Sequence, residues 1–236
     1  MTRISVDSLF DRLFTLFRDY PAGVCPVPVE RDRRIRGRGF FPGGDGLASA
    51  PANRYLPIGG VMVLGNNFGC WEDFQLSVAR GREDPDGDTW KPLLALLGGA
   101  IDLQECFFTN AYVGIIEGDR NSAQMSKTPI FRKTCRLFLT EQIRTLRPRL
   151  IMAMGGPAIR AVGSIAGKRS WRHASVEELD RTHDNLTTYE LSFGYETVRG
   201  RCAAFLHPSY WGKLRDGRAR LEFERDLLVK AKGEPK

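Results

Sequence analysis

The run Val61-Met62-Val63-Leu64-Gly65-Asn66-Asn67-Phe68-Gly69 passes from four apolar residues, mostly β-formers, straight into a glycine-bounded turn. A pattern of that kind is a buried strand ending in a tight loop. Three later segments repeat it: Cys106-Phe107-Phe108 into Thr109-Asn110, Leu150-Ile151-Met152-Ala153-Met154 into Gly155-Gly156, and Ala203-Ala204-Phe205-Leu206 into His207-Pro208-Ser209. Helical periodicities separate the four. The expected fold is therefore α/β: a three-layer sandwich with a central, mainly parallel four-stranded sheet flanked by helices. In such sheets ligands bind beyond the carboxyl ends of the strands, and the unusual polar residues of this sequence all fall on that one rim.

Length and composition set the bounds. At 236 residues the chain can bury a real core in one α/β domain. Two segments are expected: 1–57, an N-terminal helix and basic Pro/Gly-rich arm packed on the body, and 58–236, the α/β domain. Lys and Arg number 35 against 28 Asp and Glu, a formal net charge of +7, and an excess of that size favours a polyanionic partner. No apolar run is long enough to cross a membrane, and Asp11 and Arg12 interrupt the apolar segment Leu9 to Phe17, which argues against a signal peptide. Five scattered cysteines without paired spacing fit a reduced, cytoplasmic compartment.

Val6 to Tyr20 has apolar residues at helical spacing and stops before Pro21. Residues 21–57 show no period but carry Arg31, Arg33, Arg34, Arg36 and Arg38, either a phosphate-contacting arm or a solvated linker. Cys70 to Arg80 and Trp90 to Gly99 read as short helices, with Glu72 and Asp73 as acids in a first turn. A patternless loop is expected from Gly114 to Lys127. Thr128 to Leu146 is the strongest helix, and Pro157 opens another to Ile165. Thr187–Phe193 and Tyr195–Val198 could pair around Gly194, and a basic amphipathic helix runs from Arg218 to Lys232. His173 and His183 lack metal-ligand company and read as surface residues.

Asn66 or Asn67, Asn110, His207 and Ser209 converge on the rim. A carboxamide offers both a donor and an acceptor, so a buried Asn can read an imide edge such as that of uracil. A histidine beside it could donate to the pyrimidine O2 as negative charge collects there, and a second Asn could hold a water below the sugar carbon. Together these groups suit hydrolysis of an N-glycosidic bond with the base flipped into a pocket. Each signal also has a structural reading, since Asn tolerates left-handed turns and Thr109-Asn110 could be a cap.

The order of these motifs resembles the uracil-DNA glycosylase superfamily. Gly65-Asn66-Asn67-Phe68-Gly69-Cys70-Trp71-Glu72-Asp73 is similar to the G-E-A-P-G-x-x-E-D motif of its iron-sulfur branch, while Asn67 matches the Asn of G-x-N-P-G in other branches. Thr109-Asn110 is similar to the family's T-N. Cys135-Arg136-Leu137-Phe138-Leu139 through Pro148, Ile151 and Gly155 resembles C-x-x-F-L...P-x-x-I-x-x-x-G, and His207-Pro208-Ser209 matches H-P-S. The likeness covers Val61 to about Arg215. It implies a monofunctional glycosylase of base-excision repair, acting as a monomer on DNA containing uracil or another deaminated base, without a membrane partner. By resemblance Asn67 positions water, Asn110 reads the base and His207 stabilises the leaving base. Gly65, Asn66, Phe68, Ser209 and a stacking aromatic, Phe74 ahead of Phe68 and Trp90, complete the substrate-binding set. Arg36, Arg38, Tyr210, Trp211, Lys213 and Arg215 are the expected DNA contacts, Tyr210 and Trp211 as wedges.

The chain also departs from the family. Phe68 replaces the Pro of the first motif, and no carboxylate stands at Asn66 or Asn67 to act as a base. Val113 and Gly114 stand where the iron-sulfur branch has Lys-Cys; of its four cluster cysteines Cys135 remains and Cys25 is arguable. No cofactor and no metal are expected. Two other readings stay open: a uracil-DNA-binding protein that has lost hydrolysis, and a small-molecule-binding α/β domain whose rim residues are turn formers. The purified protein should lack an iron-sulfur absorption band; stoichiometric iron and sulfide in a carefully prepared sample would overturn that expectation.

Overall fold

The structure, a computed structural model, describes residues 20–26, 37–38, 40, 45–46, 57–80, 82–118, 123–214 and 216–233. The helix expected from Val6 to Tyr20, apart from Tyr20 itself, Arg36 with most of the basic arm, and Arg215 lie outside the described residues, and of Arg38 only the backbone is described. The strands are β1 (Val24–Cys25), β2 (Gly37–Arg38), β3 (Asp45–Gly46), β4 (Val61–Gly65), β5 (Cys106–Asn110), β6 (Ile115–Ile116), β7 (Leu150–Met154), β8 (Leu186–Phe193) and β9 (Glu196–Phe205). The helices are α1 (Trp71–Arg80), α2 (Trp90–Leu97), α3 (Ala123–Lys127), α4 (Pro129–Leu146), α5 (Gly156–Ile165), α6 (Val176–Thr182) and α7 (Gly217–Lys232).

The main sheet has the order β5-β4-β7-β9-β8, with only β8 antiparallel to its neighbour. The strands β4, β5 and β7 are buried along their whole length because both faces are covered there, and successive side chains divide between two cores. Met62, Leu64, Ile151, Ala153, Cys202 and Ala204 point to one face, where Phe131, Phe138 and Leu139 of α4 and Ile159 and Val162 of α5 pack on them. Val61, Val63, Leu150, Met152, Ala203 and Phe205 point to the other, against Leu93, Leu96 and Leu97 of α2 and Leu227 and Leu228 of α7. The result is the expected α/β fold with helices on both faces.

The sheet has five strands rather than four. The expected short strand at Tyr195–Val198 and the strand at Ala203–Leu206 are parts of one ten-residue strand, β9. Gly194, at φ +65°, turns the chain back, and β8 pairs with β9 along its own whole length, from Phe193↔Glu196 to Leu186↔Ala203. An edge strand left open would expose a row of unpaired backbone groups, and β8 covers that row. The loop expected over Gly114–Lys127 also carries structure. Ile115–Ile116 pairs antiparallel with Val24–Cys25, and α3 closes the segment.

The edge hairpin is tied to the body by Tyr189, whose buried hydroxyl donates to the Pro148 carbonyl between α4 and β7. Gly200 makes room for this contact: a Cβ there would lie 2.5 Å from the Pro148 oxygen and 2.6 Å from the Tyr189 ring. Tyr189→Phe should leave that carbonyl unpartnered and cost about 1–2 kcal/mol, seen as a Tm lower by several degrees. An unchanged Tm would mean that the hydroxyl contributes nothing to the docking of β8.

Candidate active site

The connection from β4 leads to β5 on one side and the connection from β7 leads to β9 on the other. The β4–β7 crevice is therefore a point where the strand order reverses, the place where an open parallel sheet leaves a gap for a ligand. A cavity of about 710 Å3 opens beside it, lined among others by Gly65, Asn66, Asn67, Phe68, Asn110, His207 and Ser209. Its walls are fixed by pairing that continues past the strand ends. Ala111 N–H donates to Gly65 O, Tyr112 N–H to Asn66 O and Ile116 N–H to Gly69 O. The loops carrying the two asparagine motifs are thus held to each other as firmly as strands.

Asn110 is buried at the end of β5, with its amide nitrogen 3.1 Å from the Phe40 carbonyl that accepts its hydrogen bond. Its Oδ1 lies over Gly65, where a Cβ would come within 2.5 Å of it. The Phe40 ring packs 5.2 Å from Trp90 and 5.4 Å from Phe108 between centroids. Trp90 is held by its indole N–H, which donates to Glu83 at 2.6 Å.

Asn66 and His207 flank Gly155. A Cβ on Gly155 would fall 3.1 Å from Asn66 Oδ1 and 3.1 Å from His207 Cβ, and the residue sits at φ +83°. Both space and backbone conformation therefore require glycine at 155. Asn66 Oδ1 is buried and has no hydrogen-bond partner among the described residues, and a buried acceptor left bare is costly unless a ligand or water completes it.

His207 is set by the residue before it. Leu206 N–H donates to Glu224 at 2.9 Å, and its carbonyl accepts from the Trp211 indole at 3.3 Å. The same Glu224 oxygen accepts from Arg220, which also pairs with Asp180. Burial pushes Glu224 up to about 7, against the pull of Arg220 and the Leu206 N–H; its other oxygen is bare. On the imidazole, Nδ1 lies 2.9 Å from Ser209 Oγ and accepts from Ser209 N–H at 3.4 Å. A backbone N–H can only donate, so Nδ1 is the acceptor and a neutral ring carries its proton on Nε2. Burial lowers the His207 pKa to about 4. At neutral pH the side chain is a neutral donor.

The structure brings Asn66, Asn67, Phe68, Asn110, His207, Ser209, Tyr210 and Lys213 to one cavity. Tyr210 is exposed at its mouth, edge-on to His207, with Lys213 over its ring. Two expectations change. Phe74 is buried in the core beside Trp71 and does not line the cavity, because its position on α1 faces the sheet; Phe68 and Trp90 line it instead. Trp211 is buried and engaged with Leu206, so it anchors the His207 loop and cannot serve as a wedge. Phe40 and Glu224 belong to the site although no sequence pattern marks them, and Gly155 reads in the sequence only as part of a turn. Asp73, read as a first-turn acid, also lines the cavity.

Among the described residues no group of three or more His, Cys, Asp or Glu side chains is placed to hold a metal. Where the iron-sulfur branch would have its second cysteine, Gly114 leaves no room: a Cβ would meet Val24 Cγ1 at 2.5 Å. Burial pushes the Cys135 thiol up to about 12, which suits a protonated core residue. No family model matches the chain, and no curated protein matches it.

The lowered pKa links His207 to stability. The fold favours the neutral ring, so this contribution is complete above pH 6.5 and is lost as pH falls through about 4. Its size is on the order of 3 kcal/mol. Between pH 7 and pH 4 the wild type should lose that much more stability than His207→Gln, measured by denaturant unfolding. Parallel losses would show that the imidazole titrates as freely in the fold as in the unfolded chain.

Proposed function

We propose that the protein is a monofunctional DNA glycosylase that hydrolyses the N-glycosidic bond of uracil, or of another deaminated base, as a cytoplasmic monomer in base-excision repair. The observation that carries this reading is the convergence of three unlike groups on one cavity: a neutral imidazole donor, the carboxamide of Asn110 and the bare Asn66 carbonyl oxygen. The motif resemblance and the net positive charge support it independently.

The chemistry divides among these residues. As the bond breaks, positive charge grows on the sugar and negative charge on the base. Nε2–H of His207 donates to the pyrimidine O2, and a neutral donor can do so without being titrated at working pH. Asn110 faces the imide edge, donating to O4 and accepting from N3–H. Phe68 and Trp90 form an aromatic wall beside the base, Trp90 held in place by Glu83, Phe40 and Phe108. Asn67 holds the attacking water at the first turn, and the partnerless oxygen of Asn66 supports a share for that residue too. The base leaves as an anion and the sugar cation takes up water, whose extra proton passes to solvent, so no covalent intermediate is needed.

A binding protein without hydrolysis is the alternative that the missing carboxylate at Asn66 and Asn67 favours. Single-turnover base release and equilibrium binding on one uracil-containing oligonucleotide separate the two. His207→Ala should slow release by roughly a hundredfold or more, about 3 kcal/mol, with a much smaller loss of binding. Asn67→Ala should slow release and spare recognition, while Asn110→Asp should damage recognition, because a carboxylate cannot donate to O4. Wild-type protein that binds uracil-DNA and releases no base would place it in the alternative class, and unchanged release by His207→Ala would remove the leaving-group role.

A further inference from the structure

A second cleft, of about 610 Å3, lies between α4 and α5 on the opposite side of the two asparagine loops. Arg132, Lys133 and Arg136 project from one face of α4, at positions i, i+1 and i+4, and Arg160 faces them from α5. Arg172, in the turn after α5, closes the end. Among the described residues no carboxylate lines this cleft and none of the five cations forms an ion pair. Several arginines elsewhere are paired: Arg147 with Glu196, Arg149 with Glu105, Arg199 with Glu190 and Arg220 with Asp180. Clustering unpaired like charges costs self-repulsion, and the arrangement is relieved only by an anion.

The place of the cleft indicates which anion. Ala111 and Tyr112, which follow Asn110, and Pro157, which follows the Gly155 turn, form its edge nearest the active cavity. The other flank of that cavity is mixed in charge: Asp73, Asp84 and Asp88 share its wall with Arg80, which pairs with Asp84, and with Lys213. A strand with one nucleotide in the cavity therefore meets its largest uncompensated positive charge on the side of the α4–α5 cleft. Resting on the glycosylase reading for its partner, we propose that the α4–α5 cleft is a phosphate track that holds the nucleic acid strand as it leaves the active cavity. Its recognition is of backbone charge, so it carries no sequence preference.

The test is the salt dependence of binding, by fluorescence anisotropy, for two single-stranded oligonucleotides that differ only by one uracil. Wild type is compared with the triple variant Arg132→Gln, Arg136→Gln, Arg160→Gln. All three side chains are exposed, and Arg136→Glu alone provides a second measurement should the triple variant fold poorly. Removing one cation from a single-strand phosphate should flatten the slope of log K against log salt by about 0.7, so the triple change is about 2. The fall in affinity between 50 and 200 mM salt should then shrink by about twentyfold, equally for both oligonucleotides. An unchanged slope on both, with Arg136→Glu binding as wild type, would overturn the proposal and leave the cleft to a partner other than nucleic acid. The outcomes are separable: a flattened slope without base release by wild type keeps the track and removes the glycosylase, and an unchanged slope with release that depends on His207 does the reverse.

Discussion

Everything at the rim depends on β4 being paired in parallel on both sides. Val61 stands between Cys106 and Leu150, and Leu64 between Thr109 and Ala153. That register ends three strands at one level, so Gly65, Asn110 and Gly155 come out side by side although they are far apart in sequence. A slip of one residue in either pairing would turn every side chain of that strand to the opposite face. The two cores forbid it, because Met62 and Leu64 are committed to one and Val61 and Val63 to the other. The precision of the polar site is thus inherited from apolar packing some distance below it.

The site itself is organised by desolvation. Burial keeps the His207 ring neutral and pushes Glu224 upward, two shifts in opposite senses in terms of pKa with the same effect, the suppression of charge. Glu224 reaches the site only through the Leu206 backbone. It is a positioning group, and the Asp180–Arg220 pair behind it links α6 and α7 to the loop that carries the imidazole.

The sequence made the strands, the rim and the identity of Asn66, Asn110, His207 and Ser209 legible because each sits where an apolar run meets a turn. It did not disclose that β9 is one continuous strand, since the charged residues Arg199 and Arg201 and the glycine between them break the apolar pattern while the strand runs on. Phe74 is misplaced from sequence because periodicity tells that a helix has an inner face but not which neighbour that face meets. Phe40 was out of reach for another reason: it lies in a Pro/Gly-rich stretch without period, and only the fold brings it to Asn110. The α4–α5 cleft has the same origin, since its two rows of cations are ordinary solvent-facing positions until the helices are set beside each other.

The Asn110–Phe40 contact has a consequence for selectivity. The amide of Asn110 already has a carbonyl oxygen at hydrogen-bonding distance before any ligand arrives. A carboxamide nitrogen carries two N–H groups, so one can stay on Phe40 and fix the amide while the other meets a ligand carbonyl. A ligand that brings an amino group there instead sets donor against donor and strands both in a buried place, at a cost of about 1–3 kcal/mol for each group left without a partner. The Phe40 contact therefore fixes which way the amide faces, so that a donor is presented before any ligand arrives and a ligand lacking an acceptor there is penalised.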